Sequence, residues 1–370
     1  MKYRRKLFSS KDIYNLPPTD QVFINAMKDN IIFHMENCLE YKEILDHFGF
    51  ELDDLKNVED LWKIPALPTS YLKSKTMLSK PYDKLLIKTT SSGTSGGKKT
   101  LSGYDKSSAL CALSMALKVF RFHKLISFRR TNYIVLGVKP DKNNQSATAK
   151  GLAYFTILAP AKKVEYAVKV VNGEYQVDVE SLIKAVVKFD REGKPVRIIG
   201  LPGFFKIFIT ELIARDIKLN LHKNSKVLLG GGWKTFFADE ISKEELFAMA
   251  NETLGMRRQN FKDHFSTTEH PVNYVACENN HFHVPVFSRV IIRDVNTLEP
   301  VENGVPGVLN LITPILSNAP YGSIITDDIA VLRDNCGCGS ASPYLDIIGR
   351  VGLSNIRTCT QQASEFLKNL

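Results

Sequence analysis

Between Lys84 and Leu254 short β-branched runs alternate with amphipathic stretches, giving predicted strands at 85–89, 133–138, 196–199 and 226–229 and predicted helices at 107–125, 179–189, 204–215 and 243–254. A strand followed by a helix before the next strand cannot return through a tight hairpin. The crossover makes neighbouring strands parallel and lays helices over the sheet, so the expected fold class is α/β with a largely parallel sheet. The flanking regions read differently. Residues 1–80 carry apolar residues at helical spacing over 19–45 and 52–62, broken by Pro65 and Pro68, with no strand pattern. Past Gln259 the helical period fades, and strands separated by turns take over at 274–276, 286–292, 307–312 and 325–332. The expected organisation is a helical segment 1–80, an α/β core 81–258, a β-rich subdomain 259–350 and a tail 351–370.

With 370 residues, 44% hydrophobic and 24% charged, the composition is that of a folded protein and excludes disorder as the main state. The net charge of +10 is spread along the chain without a long basic run. That reads as a lysine-rich solvated surface, with a polyanionic partner as the alternative; no nucleic acid is expected. Six cysteines are too few for a disulfide scaffold at this length, and Cys336 and Cys338 are too close for an ordinary staple, so a reducing cytoplasm is expected. The basic start, Met1 to Lys6, is not followed by the apolar stretch of a secretory signal. No apolar run approaches the roughly 18 residues that cross a bilayer, so a soluble protein without a membrane span is expected.

The segment Thr89-Thr90-Ser91-Ser92-Gly93-Thr94-Ser95-Gly96-Gly97-Lys98-Lys99 follows a predicted strand and precedes a predicted helix. Glycines let backbone amides approach phosphate oxygens, the hydroxyls of Ser91, Ser92, Thr94 and Ser95 add donors, and Lys98 supplies a charge. A Walker loop needs four residues between its glycines and Gly93 to Gly97 leaves three, which disfavours a P-loop kinase or GTPase. The alternative is a flexible Gly/Ser linker, against which stand the predicted elements on both sides.

This loop resembles the phosphate-binding signature of adenylate-forming enzymes, and the rest of the chain extends the likeness. It is similar above all to the acyl-protein synthetases, the ligase component of the bacterial luminescence fatty-acid reductase, which are related to phenylacetate-CoA ligases. The motifs stand in that family's order: Pro68-Thr69-Ser70, the Ser-Ser-Gly-Thr-Ser-Gly-x-Lys loop, Ile199-Gly200-Leu201-Pro202, Gly230-Gly231-Gly232-Trp233-Lys234, Asp263-His264-Phe265-Ser266-Thr267-Thr268-Glu269 and Ile325-Thr326-Asp327-Asp328-Ile329. The resemblance implies a fold of the adenylate-forming N-terminal-domain type, with mixed α/β layers and a β-rich subdomain. It also implies that ATP and a carboxylic acid are joined into an acyl adenylate. On the same grounds Glu269 would hold Mg²⁺ and Asp328 would accept hydrogen bonds from the ribose. Ser91, Ser92, Gly93, Thr94, Ser95, Gly96 and Lys98 would hold the phosphates, and Gly231 and Gly232 would let adenine lie against the backbone. Asp263 and Thr268 would join the nucleotide site, and Arg350 matches an arginine at the hinge of the larger enzymes. Plain structural alternatives stand beside these: a turn at Asp327 and Asp328, a solvated strand end at Glu269.

The larger ligases continue past the Arg350 position into a mobile lid with a catalytic lysine, whereas 20 residues follow Arg350 here. The resemblance therefore implies a chain lacking the usual C-terminal lid domain, with another acceptor for the acyl group. In acyl-protein synthetases this is a cysteine near the C-terminus, matched by Cys359 in Arg357-Thr358-Cys359-Thr360-Gln361. A thiolate attacks a mixed anhydride well, Arg357 favours the ionised form, and a tail can carry the thioester to a partner. The alternative is an inert cysteine on a terminal helix, and the residues around Cys359 differ from those of the luminescence enzymes.

Cys336-Gly337-Cys338-Gly339 places two thiols on a tight turn, and Cys277, His281 and His283 offer partners from another β segment. Cys277, His283, Cys336 and Cys338 would suit a closed, structural zinc site; free thiols or a redox pair are the alternatives. Some phenylacetate-CoA ligase relatives carry a similar arrangement, whereas the luminescence enzymes lack the Cys-x-Cys. His281 and His283 share one face of a strand, so either can serve. His264 and His270 read as structural or surface groups, because an acid ionised at neutral pH needs no base in the first step. Trp233 reads as a packing residue, and Lys234 as a phosphate or solvent contact.

The expected function is ATP-dependent activation of a carboxylic acid, a long-chain fatty acid by resemblance, followed by transfer to Cys359 and delivery to an NADPH-dependent acyl reductase. Competing readings are a lidless ligase that acylates CoA or a carrier protein, and a non-catalytic nucleotide-binding scaffold.

Overall fold

The computed structural model describes residues 2–90, 101–139, 147–171, 174–233 and 240–350. In chain order the elements begin with α1 (Asp20–Asn37), α2 (Leu39–His47), β1 (Leu67–Pro68), α3 (Thr69–Ser74), β2 (Ile87–Thr90), β3 (Leu101–Tyr104) and α4 (Lys106–Phe122). They continue with β4 (Thr131–Val138), α5 (Ala147–Tyr154), β5 (Ala161–Val171), β6 (Glu174–Val177), α6 (Val179–Arg191), β7 (Val196–Gly200), α7 (Pro202–Ala214), β8 (Lys226–Gly230) and α8 (Lys243–Leu254). The last are β9 (Phe261–Phe265), β10 (Tyr274–Val275), β11 (Phe282–His283), β12 (Arg289–Arg293), β13 (Gly307–Ile312), β14 (Ser323–Arg333) and β15 (Tyr344–Arg350). They form two compact units, one of residues 1–119, 266–274 and 281–370, the other of 120–265 and 275–280.

The second unit is built on a seven-stranded sheet in the order β10-β9-β8-β7-β4-β5-β6. The pairs from β9 through β8, β7 and β4 to β5 are parallel, and β6 turns back antiparallel on β5. The first seven residues of β4, Thr-Asn-Tyr-Ile-Val-Leu-Gly, are all buried, as a parallel strand covered on both faces requires. Ile134, Leu136, Ile198, Val227 and Leu229 from the strands meet Leu182, Val186, Phe205, Phe208, Leu246 and Ala250 from α6, α7 and α8. Truncating a fully buried ring such as Phe208 costs roughly 3–5 kcal/mol at such a site. Local chemistry sets the helix limits. Asp178 caps α6 by accepting from Ser181 N, Pro202 opens α7, Ser242 caps α8, and Gly255, at φ 64°, stops it.

The first unit holds an antiparallel sheet in the order β11-β15-β14-β13-β12, to which β1 adds in parallel beside β14, with Leu67 opposite Ile324. The single helical stretch expected over 19–45 is two helices, because Cys38 is extended at φ −145°. Buried polar groups of α1 fasten a loop of this sheet. Asn30 Nδ2 donates to Leu316 O at 2.6 Å, and His34 bridges Leu316 O at 3.2 Å and Ser79 Oγ at 2.6 Å. Burial lowers the His34 pKa to about 4, so its ring is neutral. No helix among the described residues is long and apolar enough to cross a membrane.

Candidate functional site

Ser91, Ser92, Gly93, Thr94, Ser95, Gly96 and Lys98 lie outside the described residues, as do Lys234 and Cys359. The ends of the glycine-serine loop are described. β2 and β3 pair antiparallel up to Thr90 opposite Leu101, and β3 intervenes before α4. That strand, Leu-Ser-Gly-Tyr, is too short and too polar to announce itself. Asp105 then caps α4, its Oδ1 accepting from Ser108 N at 3.0 Å.

In the second unit the glycine triplet stands at the carboxyl end of β8. Gly230 lies so close to β9 that a Cβ there would sit 2.5 Å from His264 O. Gly231 and Gly232 follow with φ of 84° and 67°, exposed, so the chain leaves the sheet as bare backbone. Asp263 lies on β9 opposite Leu229; its Oδ2 is 2.7 Å from Lys243 Nζ, and its Oδ1 accepts from His264 N at 2.9 Å. In open parallel sheets this carboxyl edge is where ligands bind. The Lys243 contact had no signal in the sequence, since it depends on where α8 docks. His264 is buried with its ring edge-on to Phe155 at 5.0 Å, and Trp233 packs on the core.

In the first unit Glu269 is half-buried and Thr268 exposed. Burial, and after it the negative charge of Glu269, push the hydroxyls of Tyr104 and Tyr321 well above the ordinary phenol range. Tyr104 OH also donates to Thr268 O at 3.3 Å. Neither tyrosine belongs to a recognisable motif. His270 is fully buried, with its pKa lowered to about 3 by burial, and its Nε2 lies 3.2 Å from both Tyr274 OH and Ser288 Oγ. His270 N donates to Thr267 Oγ1 at 3.0 Å, which closes the turn carrying Glu269.

Asp327 and Asp328 sit within β14, not in a turn, and Asp328 is directly opposite Arg350 of β15. Arg350 Nε is 3.8 Å from Asp328 Oδ1, and Nη2 is 3.7 Å from Asp327 Oδ2. Adjacent strand residues ordinarily face opposite sides; here the register shifts between Ile329 and Ala330, and such a bulge re-aims side chains.

Within the first unit the ligand atoms of His283, Cys336 and Cys338 lie within 4.8 Å of one another, whereas Cys277 belongs to the second unit. Positive φ at Gly337 (78°) and Gly339 (86°) lets the β14–β15 connection turn tightly around its two thiols. His283 Nδ1 lies 3.0 Å from Ser342 O, which can only accept, so the proton is on Nδ1 and the Nε2 lone pair is left for the sulfur side, 3.1 Å from Cys338 Sγ. Burial lowers the His283 pKa, which favours this neutral ring. His281 instead stacks on Tyr344 at 4.2 Å, with Nδ1 3.2 Å from Cys336 Sγ and Nε2 3.8 Å from Asp346 Oδ1. Ligand atoms bound tetrahedrally to zinc are roughly 3.3–3.8 Å apart, so this donor set and spacing fit that ion with little adjustment. No disulfide joins the five described cysteines.

The chain matches the acyl-protein synthetase, LuxE, family over residues 9–368. It is 23% identical over 364 residues to the long-chain-fatty-acid–luciferin-component ligase of Vibrio harveyi, covering 95% of this chain and 90% of that protein. The enzyme of the same name from Aliivibrio fischeri is also 23% identical, over 354 residues, with 93% and 88% covered. Among solved structures, 2-hydroxyisobutyryl-CoA ligase with 2-HIB-AMP and CoA aligns at a TM-score of 0.68 and 14% identity, over 92% of this chain and 70% of that one. A long-chain-fatty-acid-CoA ligase from Archaeoglobus fulgidus aligns at 0.50 and 11%, over 74% and 53%. The expected mixed α/β fold of the adenylate-forming N-terminal type is thus the observed one. Since the family match runs through nearly its whole length, the chain belongs to the LuxE acyl-protein synthetases, a family of ATP-dependent acid ligases.

Proposed function

We propose that this protein activates a long-chain fatty acid with ATP, holds the acyl group on Cys359 as a thioester and delivers it to an NADPH-dependent acyl reductase. In the first half-reaction a carboxylate oxygen attacks the α-phosphorus and pyrophosphate leaves, giving acyl-AMP. In the second the Cys359 thiolate attacks the acyl carbon, the bond to AMP breaks, and AMP departs. The reading rests on the family match that includes position 359 and on two relatives named as fatty-acid ligases.

Ser91, Ser92, Gly93, Thr94, Ser95, Gly96 and Lys98 bind the triphosphate. Gly231 and Gly232 offer flat backbone to the adenine, with Asp263 and Thr268 as polar neighbours. Asp328 accepts from the ribose hydroxyls, and Arg350 opposite it orients that carboxylate. Glu269, a half-buried carboxylate beside two un-ionised phenols, suits a hard divalent cation. Mg²⁺, when bound there, neutralises phosphate charge. A structural zinc held by His283 Nε2, Cys336 and Cys338, with Cys277 as its fourth ligand, completes the proposal and leaves no position open for water.

Incubation with α-labelled ATP and saturated fatty acids, followed by acid quenching, should trap an acyl-AMP. Absence of any AMP-bearing lipid across the series overturns the reading.

A further inference from the structure

We infer that the first unit carries a second anion site, made for a phosphate-bearing small molecule and sharing no residue with the sites assigned above. A cavity of about 570 Å³ has Lys2, Arg4, Arg5 and Lys80 on its walls, together with Ser107 and Ser317. Phe33 closes a further side, with Lys80 Nζ 5.6 Å from its ring centre. Among the described residues four cations line this space and no carboxylate does.

One of the four charges is cancelled from behind and three are not. Lys80 is paired, 2.5 Å from Asp105 Oδ2. Burial alone would raise the Asp105 pKa, but hydrogen bonds from Lys80, Ser108 and Ser317 outweigh it and keep the carboxylate ionised. Arg4 is different. It is 4% exposed, yet its Nη1 donates to Ile315 O at 2.7 Å and its Nη2 to Ser107 Oγ at 2.5 Å, both neutral acceptors. Among the described residues no carboxylate pairs with Arg4, Lys2 or Arg5. A buried guanidinium without a counter-charge is costly, and an anion in the adjoining cavity removes that cost.

The walls are fixed. Ser317 N donates to Ser108 Oγ at 2.8 Å and Ser317 Oγ donates to Asp105 Oδ1 at 3.0 Å, while Arg4 ties the same loop at Ile315. Three uncompensated cations suit a multiply charged phosphate better than a single carboxylate, and one of them, the exposed Arg5, presents a planar fork that matches phosphate oxygens. The volume exceeds a bare ion, which points to a phosphomonoester or diphosphate with a compact organic body.

Calorimetric titration of the full-length protein with inorganic phosphate and with pyrophosphate, at ionic strength held constant with chloride, tests this. The wild type should show one saturable site more than the double variant Lys2→Glu/Arg5→Glu, in which both replaced side chains are exposed. A nucleotide site that also takes phosphate would persist unchanged in the variant, so the outcome does not depend on the proposed catalysis. Arg5→Gln, which removes a charge without adding one, should weaken the extra site roughly tenfold. Equal numbers of sites and equal affinities in all three proteins, or no saturable phosphate binding by the wild type, overturn the inference.

Discussion

Cys338 Sγ lies 3.1 Å from His283 Nε2, and the far nitrogen of that ring is committed to Ser342 O at 3.0 Å. A second-sphere hydrogen bond of this kind fixes which lone pair faces a metal. His281, two residues away, touches the Cys336 sulfur but turns its other nitrogen toward Asp346. The two histidines therefore have different fates on substitution. Protein grown in zinc-replete medium should carry about one zinc per chain, lost in Cys338→Ala and His283→Ala. His281→Ala should retain it with affinity reduced roughly 10–100-fold. Elemental analysis checks this, and equal loss from both histidine variants would sink the assignment.

Asp328 faces Arg350 across the β14–β15 ladder and is proposed to bind the ribose. Asp328→Ala should raise the KM for ATP roughly tenfold or more while leaving the KM for the acid nearly unchanged, because a hydrogen bond to a charged acceptor is lost. Arg350→Ala should do less, since its side chain is about half exposed and such ion pairs contribute little. Steady-state kinetics with ATP varied decide it; an unaltered ATP KM in Asp328→Ala rules the role out.

Cys359→Ser should leave acyl-AMP formation intact and abolish covalent labelling by radioactive fatty acid. Label that persists on another residue assigns the acceptor elsewhere. Loss of both activities places Cys359 in the first half-reaction.

His34 and His270 are kept neutral by burial, with pKa about 4 and about 3 against an ordinary 6.5. The folded values lie below the unfolded one, so between them the unfolded chain binds more protons. This contribution is complete above pH 6.5 and is lost as the pH falls toward 4 and 3. Two such groups give a slope near 2.7 kcal/mol per pH unit, so urea unfolding at pH 5 should show about 4 kcal/mol less stability than at pH 7. His34→Gln should remove about half of that difference; equal stability at the two pH values contradicts the buried neutral state.

Where side-chain pattern and local capping agree, the sequence was enough. The helix expected at 243–254 is α8, bounded by Ser242 and Gly255, and the apolar runs at 133–138, 196–199 and 226–229 are the buried strands β4, β7 and β8. β5 escaped because its first residues, Ala-Lys-Lys-Val, are exposed and carry no apolar run. β9 escaped because Lys262, Asp263 and His264 look like a loop motif, although the sheet buries alternate residues. β1 is two residues long and contains Pro68; only its partner β14 makes it a strand. At the candidate sites, residue types and spacing pointed to the cysteine cluster. The choice between His281 and His283 turned on a carbonyl at Ser342, and the tyrosines beside Glu269 came from distant segments, neither of which a linear pattern encodes.

Pyrophosphate exchange decides whether an adenylate forms at all. With ATP, Mg²⁺ and labelled pyrophosphate, label should enter ATP only when a fatty acid is present, should do so in Cys359→Ser as in the wild type, and should fail in Lys98→Ala and Glu269→Ala. No acid-dependent exchange with any fatty acid, or exchange undiminished in both of those variants, contradicts the proposed chemistry.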